Sequence, residues 1–184
     1  MNTSIFISAC IALFVLVIGP THSSEIDRAE PIANCSGDQP PWRDFDFWVG
    51  EWTVFDPESD RKYGDNRVEK KERGCLILEQ WTSVDGTTGI SMNFYDPLTK
   101  QWRQVWQNAG IFIDYAGGLD DQGRMLLEGT IFYHGNGQQA PFRGRWTPNE
   151  DGSVLQEFWQ FNAETSQWDG WFRGLYKQAA GSSE

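Results

Sequence analysis

Ser91-Met92-Asn93-Phe94-Tyr95-Asp96-Pro97-Leu98-Thr99-Lys100-Gln101-Trp102-Arg103-Gln104-Val105-Trp106 decides the fold. It reads as two alternating segments joined by turn chemistry. Asp96-Pro97 supplies the turn, because Pro presets φ and Asp bonds its own backbone two residues on. A turn across 96–101 that sets Tyr95 opposite Trp102 also sets Asn93 opposite Gln104 and Ser91 opposite Trp106. Successive strand side chains point to opposite faces. Ser91, Asn93, Tyr95, Trp102, Gln104 and Trp106 therefore share one face, and Ile90, Met92, Phe94, Arg103, Val105 and Gln107 the other.

The same beat runs outward in both directions. Strands are predicted at 49–56, 65–73, 75–84, 89–96, 101–108, 111–119, 124–133, 140–147, 153–162 and 167–177. Turn residues separate them: Asp56-Pro57, Asp85-Gly86, Asp120-Asp121-Gln122-Gly123, Gly135-Asn136-Gly137 and Asn149-Glu150-Asp151-Gly152. No gap is long enough for the crossover that parallel pairing needs. A meander of this length hides its edges by closing on itself. The expected fold is all-β: a single antiparallel up-and-down barrel of about ten strands. Gln39 to Trp48, dense in aromatics, is expected to make a short helical turn that plugs one mouth with Phe45, Phe47 or Trp48.

Composition agrees with this. The chain carries 10 Trp, 12 Phe, 5 Tyr and 19 Gly, residues suited to pleated surfaces and to turns and bulges. A net charge of -11 repels phosphate backbones and anionic lipids, which excludes nucleic acid as a partner class. Residues 1–23 read as an export signal: Ile5 to Ile18 is apolar but too short to span a bilayer, and Gly19-Pro20-Thr21-His22-Ser23-Ser24 follows. A secreted or periplasmic protein results, with no stable membrane association after cleavage. Residues 24–41, broken by Pro31, Pro40 and Pro41, read as an extended tail, 42–178 as the barrel domain, and 179–184 as a disordered C-terminal tail. Cys35 and Cys75 remain after cleavage. In an oxidising compartment they are expected to form a disulfide, the alternative being two free thiols with Cys75 buried.

Phe45-Asp46-Phe47-Trp48-Val49-Gly50-Glu51-Trp52 contains a Gly50-x-Trp52 pair that resembles the first-strand signature of lipocalins and other calycins. Further along stand Gly74-Cys75-Leu76-Ile77-Leu78-Glu79-Gln80-Trp81, the 91–106 stretch, and a closing Gly174-Leu175-Tyr176. Together these motifs, over about residues 42 to 177, look like a family of exported bacterial proteins of unknown function with calycin-like barrels. The resemblance implies fold and export but no established activity. It also implies structural roles: Gly50 turning the chain from plug into strand, Trp52 sealing the barrel end, and a basic residue, Arg173 or Lys177, packed over that Trp. A more distant likeness to the haem-binding nitrobindins lacks a convincing match for their axial histidine, so no cofactor is expected.

The polar-aromatic face of the 91–106 hairpin has the composition of a small-molecule cavity, although alternation alone leaves open which face is inside. Glu79 and Trp81 join that face if the preceding loop holds three or five residues. The expected ligand-binding set is Glu79, Trp81, Ser91, Asn93, Tyr95, Trp102, Gln104 and Trp106, and the expected partner is a small, partly apolar molecule. Glu79 lies among Leu76, Ile77, Leu78 and Trp81, surroundings that raise a carboxyl pKa and suit acid or base work. An enzyme in the same cavity, of isomerase, lyase or hydrolase type, would use Glu79 as acid or base, with Tyr95 and Asn93 orienting the substrate. Glu128 and Glu157 are similar candidates, more simply read as outer residues paired with Lys or Arg. Arg103, Arg143, Arg145 and Arg173 would bind an anionic group if they pointed inward. A third reading is an envelope interaction module without a ligand. Ser-His-Asp chemistry, zinc sites and phosphate-cradling loops are excluded by the shortage of histidines and cysteines and the placement of glycines.

Overall fold

Ten strands follow one another in chain order, and the turn residues named above fall at six of the nine junctions between them. The computed structural model describes Cys35, Gly37 and residues 40–179. The predicted signal, nearly all of the predicted N-terminal tail, and residues 180–184 lie outside the described residues. The strands are β1 (Gly50–Phe55), β2 (Lys62–Lys71), β3 (Leu76–Ser83), β4 (Thr88–Asp96), β5 (Gln101–Asn108), β6 (Ile111–Leu119), β7 (Met125–Tyr133), β8 (Gln139–Pro148), β9 (Val154–Asn162) and β10 (Gln167–Gln178). Every strand pairs antiparallel with its sequence neighbours. β1 pairs with β10, Val54 opposite Tyr176, and closes the barrel. Closure leaves no sheet edge to template aggregation.

β2 differs most from its predicted span. It starts earlier, where Lys62 pairs with Phe55, and stops at Lys71. The stop has a backbone cause. Glu72, Arg73 and Gly74 all take positive φ, folding the chain into a tight turn in which the Cys75 amide donates to the Glu72 carbonyl, 3.1 Å. Cys75, just past that turn, is bonded to Cys35 across 40 residues of sequence.

The predicted helical turn forms as one turn of 3-10 helix, Asp46–Trp48. Phe45 and Trp48, both fully buried, stack at 5.0 Å between centroids. Phe45 also meets Trp102 and Trp146 edge-on at 5.8 and 5.2 Å. Each such ring contributes roughly 1.5–3 kcal/mol by leaving water. Polar bonds fix the plug: Trp102 Nε1 donates to the Pro41 carbonyl at 3.1 Å, Trp52 Nε1 to the Trp48 carbonyl at 2.9 Å, and Asp46 pairs with Arg43 and Lys70. Gly50 then enters β1 at φ +156, a conformation that L side chains rarely adopt. The plug closes the barrel end where β2, β4, β6, β8 and β10 finish.

Candidate functional site

β4 and β5 pair with Tyr95 opposite Trp102, Asn93 opposite Gln104 and Ser91 opposite Trp106, and the polar-aromatic face is the inner one. Ser91, Asn93, Gln104 and Trp102 are buried, while Ile90 and Met92 stand about half exposed outside. The β3–β4 loop holds five residues, since Thr82 pairs with Thr88. That count sets Glu79 opposite Ser91 and turns Glu79 and Trp81 inward.

Glu79 is the centre of a continuous chain of buried hydrogen bonds. Asn66 Nδ2 donates to its Oε1 at 2.7 Å and Ser91 Oγ to its Oε2 at 2.5 Å. On one side Asn93 Nδ2 donates to Ser91 Oγ at 2.9 Å, Gln104 Nε2 donates to Asn93 Oδ1, and the Tyr115 hydroxyl donates to Gln104 Oε1. On the other, Asn66 Nδ2 also reaches the Tyr176 hydroxyl at 3.3 Å, and that hydroxyl donates to Gln156 Oε1 at 2.6 Å. The chain crosses the interior from β9 to β6. Burial pushes the Glu79 carboxyl up, against the opposing pull of its Ser91 and Asn66 hydrogen bonds, to about 7. Burial and the nearby Glu79 charge hold the Tyr115 and Tyr176 hydroxyls well above the ordinary phenol range.

Above this layer, at the end opposite the plug, lies a cavity of about 200 Å³. Glu79, Gln156 and Tyr176 form its floor, Trp81, Trp106, Phe158, Trp171 and Phe172 its walls, and Asn108 stands at the far end of β5. Gly89 makes room for one wall. A Cβ there would sit 2.4 Å from the Trp106 ring, so only glycine lets that indole lie against β4.

The residues singled out in the sequence thus separate by depth. Glu79, Trp81 and Trp106 line the cavity. Ser91, Asn93 and Gln104 lie beneath it in the hydrogen-bonded layer. Tyr95 and Trp102 do not reach it: they sit under the plug, Tyr95 edge-on to Trp42 at 5.3 Å and Trp102 bonded to Pro41. Tyr95 is therefore not placed to orient a molecule beside Glu79; the phenol at the floor is Tyr176.

Neither Arg173 nor Lys177, the basic residues expected over Trp52, is placed over it. Trp52 and Tyr176 point inward, and Arg173 and Lys177, at odd offsets from Tyr176, point outward. Arg173 bridges Glu58 at 2.9 Å and Glu157 at 3.3 Å, and Lys177 lies over the Phe55 ring at 5.3 Å. Glu128 and Glu157 are outer residues, paired with Arg143 at 2.7 Å and Arg145 at 2.5 Å. Arg103 grips Asp114 with two bonds on the same outer surface.

Asn66, Gln156, Tyr176, Phe158, Trp171 and Phe172 were not singled out by sequence. Asn66 hides in a charged strand, between Asp65 and Arg67. Trp171 escapes alternation because β10 bulges between Gly170 and Phe172, which lets consecutive aromatics both reach the cavity. Compared with known families and curated proteins, the chain matches no family model and no curated sequence.

Proposed function

We propose that this protein binds a small, partly apolar molecule in the lumen, in an oxidising compartment outside the cytoplasm. The observation that carries the reading is the cavity of about 200 Å³ with five aromatic walls and a polar floor, since apolar walls with a few convergent polar groups are the usual make-up of a ligand site. The Cys35–Cys75 bond supports the compartment, because such bonds persist where thiols are not kept reduced. Export as a member of the calycin-like family belongs to the same reading and rests on the motifs quoted above.

Native mass spectrometry of the protein recovered from the cells that make it tests this. An added mass that the wild type retains and Trp106→Ala loses is the expected result. An apo mass for both proteins, with no small aromatic molecule taken up at millimolar concentration, would sink the proposal.

One observation favours a second reading, catalysis. A carboxyl at the cavity floor poised near 7 suits proton transfer at neutral pH. In that case Glu79→Gln abolishes turnover while a bound molecule is still held. The acid or base would be Glu79, with Tyr176 and Gln156 rather than Tyr95 as its neighbours in the cavity.

A further inference from the structure

Glu79 is a buried acid without a counter-ion. Its residue is 3% exposed, and its two oxygens accept from the neutral groups Asn66 and Ser91. Among the described residues no Lys, Arg or His pairs with it or lines the cavity above it. On the outer surface Arg103, Arg143, Arg145 and Arg173 are engaged by Asp114, Glu128, Glu157 and Glu58, and Lys70 is held by Asp46 at the plugged end. A buried charge is ordinarily paired, because desolvation without a partner costs several kcal/mol. Here the neighbouring space is a cavity, and that cavity is walled by three indoles and two phenyl rings.

Rings of this kind attract cations through their quadrupole, Trp most strongly, and more so in a site shielded from water. The lining offers no positive group to an anion, and the overall charge of -11 draws cations toward the protein. Size limits the occupant as well: an apolar cavity of about 150 Å³ holds benzene, so about 200 Å³ takes one ring with a short substituent.

Resting on the binding reading above, we infer that the cavity takes a small organic cation, an ammonium group on an apolar body of about one ring, with Glu79 as its counter-ion. The ammonium faces the Glu79 carboxylate at the floor, and the apolar body fills the space between Trp81, Trp106 and Trp171. The groups facing Glu79 from the strands around it are Asn66 on β2, Ser91 on β4, Gln156 on β9 and the two tyrosines, Tyr115 on β6 and Tyr176 on β10. Both tyrosines stay protonated across the neutral range. Glu79 is therefore the group whose ionisation sets the preference for a cation.

Isothermal titration of three probes of nearly equal size tests the inference: benzylammonium, benzyl alcohol and benzoate. At about pH 8, benzylammonium should bind about tenfold tighter than benzyl alcohol, the equivalent of one desolvated cation–ring or charge contact, and benzoate should bind weakest. The ratio should shrink toward unity at about pH 5.5, where the carboxyl is protonated, and likewise in Glu79→Gln. If that variant fails to fold, the wild-type pH series gives the same readout. Equal affinity for the ammonium and the alcohol at about pH 8, with both weakened by Trp106→Ala, would overturn the cation preference and leave the cavity reading standing. Heat from none of the three at millimolar concentration would overturn both.

Discussion

The two ends of the barrel are built from the same residue types and do opposite things. At the plugged end Phe45, Trp48, Trp102 and Trp146 pack ring on ring, all but excluded from water. At the other end Trp81, Trp106, Trp171 and Phe172 stand around a cavity, and Trp171 keeps 42% of its surface exposed. What separates them is a covering segment. Residues 41–48 fold over one mouth, fastened by Trp102 to the Pro41 carbonyl and by Lys70 to Asp46. The β3–β4 and β5–β6 turns at the far end are too short to reach across. Aromatic density therefore marks a barrel interior, and the chain's path over the mouth decides whether that interior is core or binding space.

The largest effect should come from uncovering the sealed end. Phe45→Ala removes a fully buried ring with four aromatic neighbours and should cost about 3–5 kcal/mol in urea unfolding. Cutting the tether that enters at the same end, with Cys35→Ser and Cys75→Ser together, should cost about 3–4 kcal/mol for a loop of this length. Neither change touches the cavity, so benzyl alcohol should bind the folded fraction as before. A Phe45→Ala protein as stable as the wild type would show that the plug is a lid rather than core.

The floor of the open end should behave in the reverse sense, adding a cost that depends on pH. The Glu79 carboxyl titrates near 4.5 in the unfolded chain and near 7 in the folded one. Between those values the folded protein holds a proton that the unfolded chain has released, so stability is full below about pH 4.5 and falls as pH rises through about 7. Full expression of that shift is worth about 3 kcal/mol. Glu79→Gln removes it. The difference in unfolding free energy between wild type and variant should therefore change by about this amount across the window, measured in urea without ligand. Parallel pH profiles for the two proteins would mean that the carboxyl is not held protonated by burial.

How far these two ends were legible in the sequence follows from what alternation can and cannot encode. Most strands were readable because residues with known turn chemistry stand at six of the nine junctions, and alternation carries the rest. The β4–β5 register was readable because Asp96-Pro97 pins one turn, and every inward pair follows from it. Depth along the barrel axis was not readable. Tyr95 and Trp106 share a face, yet they lie toward opposite ends of the barrel, each late in one of two antiparallel strands, and period two says nothing about which end a segment from elsewhere will cover. Asn66 was masked by the charges of Lys62, Asp65, Arg67 and Glu69 around it, all on or near the solvent face. Trp171 needed the bulge beside Gly170, which breaks the alternation that would have located it. The role that the resemblance gave to Arg173 or Lys177 was not readable either, because only the structure shows Tyr176 inward and so sets both basic residues on the outer face.

The smallest stability effect should fall on the residue that most clearly separates wall from core. Trp171 stands edge-on to Phe142 at 5.4 Å and tilted against Phe158 at 6.2 Å, with its other side open. Truncation to Ala removes a ring that is already 42% exposed, so the unfolding free energy should fall by about 1–2 kcal/mol, less than for Phe45→Ala. The same truncation deletes one wall of the cavity and widens its mouth. Benzylammonium affinity should therefore fall several-fold while the melting temperature drops less than in Phe45→Ala, where stability falls and the cavity is untouched. A large loss of stability with unchanged affinity would instead make Trp171 part of the packed core. The open end would then be a continuation of the plug by other residues, and the contrast between the two mouths would disappear.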